Sequence, residues 1–216
     1  MKKPLLQLAL DSSGLETALL HASRVADHVD VIEAGTVLAF AQGMNAVREL
    51  RARYPSHRLV CDMKLLDAGE VLAAGAFSAG ADWITVGAAA HIETISAAHR
   101  VATQMGGEVQ IELFGHWTLE DARLWIRHGI NQVIYHRSRD AQAAGVCWGE
   151  KDLTLMKALS DLGMRVSVTG GIVPDDVHLF REIDVQAFIA GRALTGDNGV
   201  QMAEAFHAAI ERDWQE

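Results

Sequence analysis

Eight times along the chain a short, apolar, β-branched run is followed by a stretch of helical periodicity, and this alternation narrows the fold more than any other feature. The runs are Leu5–Leu10, Val29–Ile32, Arg58–Cys61, Trp83–Val86, Val109–Leu113, Gln132–Tyr135, Arg165–Val168 and Ala187–Ala190. Most are near-continuously apolar, the pattern of parallel strands covered on both faces. Their starts lie roughly 20 to 30 residues apart, which leaves room for one helix each. Helix punctuation agrees. Ser13 with Glu16 reads as a capping box, Gly106-Gly107 closes a helix begun near Ile92, and Thr118 caps Leu119–Arg127 ahead of Gly129. Gly163 ends a helix over Leu153–Leu162, Pro174 opens a short seventh helix, and the last helix covers about Val200–Trp214. Eight strands alternating with eight helices predict an α/β (β/α)8 TIM barrel. The alternative is a doubly wound open sheet, and no G-x-G-x-x-G follows the first run to support its dinucleotide-binding form.

A chain of 216 residues suits a single barrel domain over 1–216, and no Pro- or Ser-rich linker divides it. The net charge of −9 argues against nucleic-acid binding, so an anionic small molecule would need a local focus of cations, backbone N–H groups or metal. Leu5–Leu10 is too short for a signal-peptide core, and nothing approaches the roughly 20 apolar residues of a membrane span. Cys61 and Cys147 form no metal or redox motif. A cytoplasmic enzyme is the expectation.

The polar residues gather at strand ends. Asp11 ends the first run, Glu33 the second, and Asp62, Lys64 and Asp67 end or follow the third. Glu112 falls in the last turn of the fifth, and His136 ends the sixth with Arg139 just beyond. Thr169-Gly170-Gly171 ends the seventh and Gly191-Arg192 the eighth. In a barrel these ends form one rim, the face on which active sites are built. Singly, each is an ordinary turn residue. Jointly they are too costly to bury unless they pair or hold a metal. Glu33 and Asp62 offer hard oxygens from adjacent strands, which suits Mg2+; a metal-free carboxylate–lysine network is the alternative. Gly170, Gly171, Gly191 and Arg192 suit a phosphate, which barrels often hold after strands seven and eight; tight βα turns are the alternative. Lys64, two residues past Asp62, falls on the same face by strand alternation. His91, His116 and His128 read as surface or packing residues; the tryptophans read as packing, with Trp117 placed to border the pocket.

Asp62-Met63-Lys64-Leu65-Leu66-Asp67 is a D-x-K-x-x-D motif that resembles the signature of the orotidine 5′-monophosphate decarboxylase superfamily. Leu5–Asp11, Ile32–Thr36, Gln110–Leu113, Tyr135–Ala143 and Phe188–Arg192 extend the likeness across essentially the whole chain, toward its 3-keto-L-gulonate 6-phosphate decarboxylase branch. Glu33 stands where the orotidine enzyme carries lysine and works without metal. Glu112 and Arg139 set the chain apart from hexulose-6-phosphate synthase, a related aldolase. The resemblance implies Mg2+ on Glu33 and Asp62, phosphate on Arg192 and the glycines, and Asp11 on the sugar. It also implies a cis-enediolate formed on loss of CO2, with Lys64 stabilising its charge and His136 or Arg139 supplying the proton. Asp67 is implied to reach a neighbouring subunit's site, making a homodimer, and L-ascorbate utilisation or pentose interconversion is the implied setting. Two alternatives stand beside this: the synthase reaction, and a non-catalytic sugar-phosphate-binding barrel.

Overall fold

A computed structural model describes residues 2–214. Eight parallel strands close into a barrel in sequence order: β1 (Leu5–Leu10), β2 (Val31–Ala34), β3 (Arg58–Leu65), β4 (Trp83–Gly87), β5 (Glu108–Glu112), β6 (Gln132–His136), β7 (Arg165–Thr169) and β8 (Val185–Ala190). β1 pairs with both β2 and β8, so no strand edge is left open. This is the expected (β/α)8 barrel.

The outer ring is less regular than one helix per strand. α1 (Leu15–Val25) follows β1, and a 3-10 turn (Ala26–His28) leads into β2. α2 (Thr36–Gln42) and α3 (Met44–Arg53) share the next connection, broken at Gly43, whose φ of +58° an L side chain disfavours. α4 (Gly69–Ser78), α5 (Ile92–Met105) and α6 (Leu119–Arg127) follow β3, β4 and β5. α7 (Arg139–Ala143) and α8 (Glu150–Asp161) follow β6, and α9 (Arg192–Thr195) and α10 (Gly199–Asp213) follow β8. The seventh helix is a 3-10 segment, Pro174–Phe180, with proline at its start. No helix among the described residues is long and apolar enough to cross a membrane.

Local chemistry explains most boundaries. Thr118 accepts from the Asp121 N–H while Asp121 reaches back to the Thr118 N–H, a reciprocal cap worth about 0.5–2 kcal/mol. The Ser13–Glu16 box does not form. Gly14 is the N-cap of α1, and the Ser12 hydroxyl donates to Gly14 O. β2 begins and ends two residues later than Val29–Ile32, because Asp30 binds both backbone groups of Leu6 and sets where pairing begins. Glu33 therefore lies inside the strand. On α5 the buried Ile95, Ala98, Val101 and Ala102 make one stripe against the barrel. Trp148, Phe180, Phe188 and Trp214 form a chain of aromatic contacts with centroids 5.6–5.8 Å apart, each worth roughly 0.5–1.5 kcal/mol beyond area burial.

Candidate active site

The C-terminal mouth of the barrel holds a charged cluster built around Lys64. Its Nζ donates to Asp62 Oδ2 at 2.6 Å and to Thr36 Oγ1 at 2.5 Å, and stands 3.1 Å from Glu112 Oε2. That last contact is electrostatic, since Glu112 Oε2 is buried without a hydrogen-bond partner. Glu112 Oε1 accepts from His136 Nδ1 at 2.7 Å, which leaves Nε2 as the ring's exchangeable position. The Phe114 ring covers the assembly, 4.8 Å from His136 and 5.5 Å from Lys64 Nζ. β3, β5 and β6 thus contribute Lys64, Glu112 and His136 to one continuous network.

Strand alternation does not explain Lys64. Its φ is +45°, in the left-handed region, and the β3–β4 register shifts between Cys61 and Leu65. The Lys64 N–H is taken by Thr85 Oγ1 at 2.9 Å, and the same hydroxyl donates to Asp62 Oδ1 at 2.7 Å. Thr85 on β4 therefore stitches the irregular end of β3 in place. It is a site residue that the reading of strand ends missed, because it lies mid-strand. The signal was a lone hydroxyl in the apolar run Trp83-Ile84-Thr85-Val86. Gln7, which donates to Glu33 Oε2 from the middle of β1, was missed for the same reason. Thr36, at the start of α2, is a further site residue that the reading of strand ends did not single out.

The electrostatics are those of a site with surplus negative charge. Burial, then the neighbouring Asp62 and Asp11, push the Glu33 carboxyl well above its ordinary range. Burial also raises Glu112, against the opposing hydrogen bond from His136. Burial would raise Asp62 too, but the Lys64 charge and hydrogen bonds from Lys64, Thr36 and Thr85 outweigh it and hold that carboxyl low. Lys64 is pushed up to about 12: burial opposes its charge, and Asp62 and Glu112 more than compensate. One lysine faces three buried carboxylates, Glu33, Asp62 and Glu112. That imbalance and the hard oxygen donors fit a divalent cation on Glu33 and Asp62. No group of three or more Asp, Glu, His and Cys gathers in metal-binding fashion among the described residues, so such a cation would need oxygens from substrate and water.

The other side of the mouth is open and cationic. Arg192, exposed at the start of α9, donates to Gln142 Oε1 at 2.5 Å. Gln142 lies against Gly171, where a Cβ would collide with its amide, and Gly170 and Gly171 have φ of +111° and +68°. Gly191 is the N-cap of α9. The Thr169 hydroxyl donates to Ile189 O, which ties β7 to β8. Arg139 stands 3.4 Å from Asp11 Oδ2, bridging the ends of β1 and β6 at the rim. Asp11 fits there because Gly35 has no Cβ to meet its carboxylate. Asp67 is exposed, accepts only from the Ala68 N–H at 2.7 Å, and does not join its own chain's cluster.

Two concavities open on the barrel, one at each end. One of about 280 Å³ adjoins His136, lined by Phe114, Trp117, Tyr135 and Trp148, so Trp117 borders it. One of about 360 Å³ opens at the opposite end of the barrel, near Asp30 and Asp82. There the acids are committed to Leu6 N, Leu59 N and Arg51, so the site is assigned by its chemistry to the C-terminal mouth. Of the three histidines read as peripheral, His91, His116 and His128 are all exposed.

Residues 4–206 match the model of the orotidine 5′-phosphate decarboxylase / HUMPS family. The chain is 54% identical to the 3-keto-L-gulonate-6-phosphate decarboxylase SgbH of Escherichia coli, over 99% of this chain and 98% of that protein. It superimposes with a TM-score of 0.95 on the crystal structure of 3-keto-L-gulonate-6-phosphate decarboxylase from Vibrio cholerae, 55% identical, covering 99% and 100% of the two chains. The 3-hexulose-6-phosphate synthase of Salmonella typhimurium is more distant, at 29% identity and a TM-score of 0.89 over 97% and 99%. Sequence and fold agree along almost the entire length, and the chain belongs to the orotidine 5′-phosphate decarboxylase / HUMPS family.

Proposed function

We propose that this barrel decarboxylates 3-keto-L-gulonate 6-phosphate to L-xylulose 5-phosphate and CO2, as a cytoplasmic enzyme of L-ascorbate catabolism. The observation that carries the reading is Lys64, held beside Asp62 and Glu112, with His136 on the far side of Glu112. This places a fixed positive charge and a proton donor in one buried network, which an enediolate-forming reaction needs. Full-length identity of 54% to a relative bearing that name supports the substrate.

Arg192 and the backbone of Gly170, Gly171 and Gly191 hold the phosphate, and Thr169 fixes the β7 end beside them. Asp11 and Arg139, on the strands flanking β7 and β8, meet the sugar hydroxyls. Breaking the bond between carbons 1 and 2 releases CO2, and the electron pair spreads over carbon 2, carbon 3 and its oxygen. Lys64 donates to the oxygen on which that charge accumulates, and its positive charge lowers the barrier. His136, oriented by Glu112, delivers a proton to the former carbon 2, directly or through water with Arg139. Glu33 and Asp62 are the residues that would hold Mg2+, and what that ion supplies when bound is Lewis-acid compensation of the same developing charge.

A homodimer is part of the proposal. Val37, Phe40, Leu66, Val71 and Leu72 are large apolar residues left exposed on α2, the β3–α4 loop and α4, next to Asp67. An apolar surface beside a carboxylate that its own site does not use suits a second copy of the chain, with Asp67 entering the partner's site.

Release of CO2 from 3-keto-L-gulonate 6-phosphate, lost with EDTA and restored by Mg2+, is the expected result. Turnover of formaldehyde with ribulose 5-phosphate at a higher rate would assign the synthase reaction, and no turnover of either would leave a binding barrel. Full activity in metal-free buffer would reduce Glu33 and Asp62 to network residues. For proton delivery, turnover in deuterated water reads the face on which carbon 1 of the product is labelled. Substituting His136 should change that ratio. An unchanged ratio there, with a changed one after altering Lys64, would reverse the two roles.

A further inference from the structure

The strand register defines which side chains share a level inside the barrel. Advancing one residue at each pairing runs Leu8↔Ile32, Glu33↔Val60, Cys61↔Ile84, Thr85↔Gln110, Ile111↔Val133, Ile134↔Ser167, Val168↔Phe188 and Ile189↔Gln7, and closes on its starting point. Of the inward residues on that circuit, Glu33, Thr85, Ile134 and Ile189 come from the even strands and make one layer, and Gln7, Val60, Gln110 and Ser167 come from the odd strands and make the next. Bulky aliphatics usually fill such a layer, yet three of these last four are polar, and all four are at most 1% exposed.

Carboxylates at either end orient the amides. Glu33 accepts from Gln7 Nε2, which turns Gln7 Oε1 away from the site. Below, Arg165 pairs with Glu108 at 2.7 Å, and Glu108 accepts from Gln132 Nε2. Gln132 Oε1 then accepts from Gln110 Nε2 at 3.1 Å, which leaves Gln110 Oε1 unused. Gln7 Oε1, Gln110 Oε1 and Ser167 Oγ are all buried without a partner. β1 and β5 face each other across the ring, with β7 between them on one side. Two acceptors oppose one another, and a hydroxyl able to donate comes from the flank.

One water matches this set: it donates a hydrogen to each amide oxygen and accepts the serine hydroxyl. Left unpaired, each of the three groups would bear its full desolvation penalty. We propose that the centre of the barrel holds a single ordered water on Gln7, Gln110 and Ser167, and that Gln7, fixed by it, is a positioning residue for Glu33. The water stands on the layer alone; the link to catalysis rests on the reading of Glu33 given above.

A high-resolution crystal structure of the protein should show one density peak within hydrogen-bonding distance of all three atoms. A dry layer, or the two amides bonded directly to each other, would overturn the water. In Gln7→Met the peak should disappear and the Glu33 carboxylate should spread over more than one rotamer while Asp62 stays in place. A Glu33 unmoved in that variant refutes the positioning role. Mn2+ binding followed by electron paramagnetic resonance should weaken about tenfold in Gln7→Met, the usual scale for a group that orients a ligand; parent-like affinity also counts against the role. If the parent itself binds no Mn2+, the metal reading of Glu33 fails, while density still decides the water and the rotamer. Should Gln7→Met not fold, Ser167→Ala removes one of the three partners, and its peak should weaken or move; an unaltered peak rejects the three-partner site.

Discussion

The two halves of the barrel mouth solve opposite problems. Between β2 and β6, Asp62, Lys64, Glu112 and His136 are buried or half-buried and bound to one another, Thr36 and Thr85 take up further bonds, and Glu33, held by Gln7, lies within their electrostatic reach. Between β6 and β8, Gly170, Gly171, Gly191 and Arg192 present backbone and one exposed guanidinium. The first half is organised before any ligand arrives, which suits stabilising charge that appears only in a transition state. In the second, Arg137 and Thr169 brace the backbone, while the Arg192 guanidinium donates to Gln142, a bond that an incoming anion can replace. On the proposed function, chemistry is assigned to the buried half and ground-state affinity to the open one.

Substitutions should divide along that line. The largest effect is expected at Lys64. Lys64→Ala should lower kcat by about 10²–10³-fold with a smaller change in KM, the signature of a lost oxyanion donor. It should also cost about 3–5 kcal/mol in denaturant unfolding, because buried carboxylates lose their cation. An unchanged kcat would sink the distinction between the halves. Arg192→Ala should do the reverse, raising KM by about tenfold to a hundredfold with kcat moved less, as for loss of a charged hydrogen bond. A selective fall in kcat would put the phosphate elsewhere.

The pH dependence of stability sharpens the comparison without any substitution. Glu33 and Glu112 are held above the ordinary 4.5, so between that value and their own the folded protein carries more protons than the unfolded chain. Stability of the metal-free protein should accordingly fall as pH rises through that window. Asp62 acts in the other direction: its contribution is present above 3.8 and is lost as pH falls through its lower folded value. Lys64 contributes below 10.5, and that contribution is lost as pH rises through about 12. Added Mg2+ should therefore raise Tm more near about pH 8 than near about pH 5, since binding needs deprotonated carboxylates. Equal shifts at both would argue against a cation on Glu33. The smallest effect is expected for Thr85→Val, about 1 kcal/mol of stability from the lost hydroxyl bonds, with Lys64 less well fixed. A variant indistinguishable from the parent in both stability and rate would remove Thr85 from the site.

Much of this molecule was legible in its residues. Parallel strands must bury both faces, so the sequence alone carried eight apolar runs, and their alternation with helices predicted a barrel over an open sheet, a choice settled by the pairing of β1 with β8. Ionisable residues at run ends were conspicuous because nothing apolar explains them there, and Glu33, Asp62, Lys64, Glu112 and His136 do meet at one mouth. What tertiary structure decided lies where polar groups sit inside apolar patterns. Val29–Ile32 looked like the second strand, yet pairing with β1 carries that strand to Ala34 and buries Glu33 within it. Lys64 was expected at the site through alternation and arrives there instead through a left-handed backbone whose N–H is held by the Thr85 hydroxyl from the next strand. Gln7, Gln110 and Ser167 stand in three strands far apart in the chain, and only the stagger of the closed sheet puts them on one level. Sequence determines what each strand must hide. Which hidden polar groups face one another depends on register and closure, and those are set by hydrogen bonds between residues far apart in the chain.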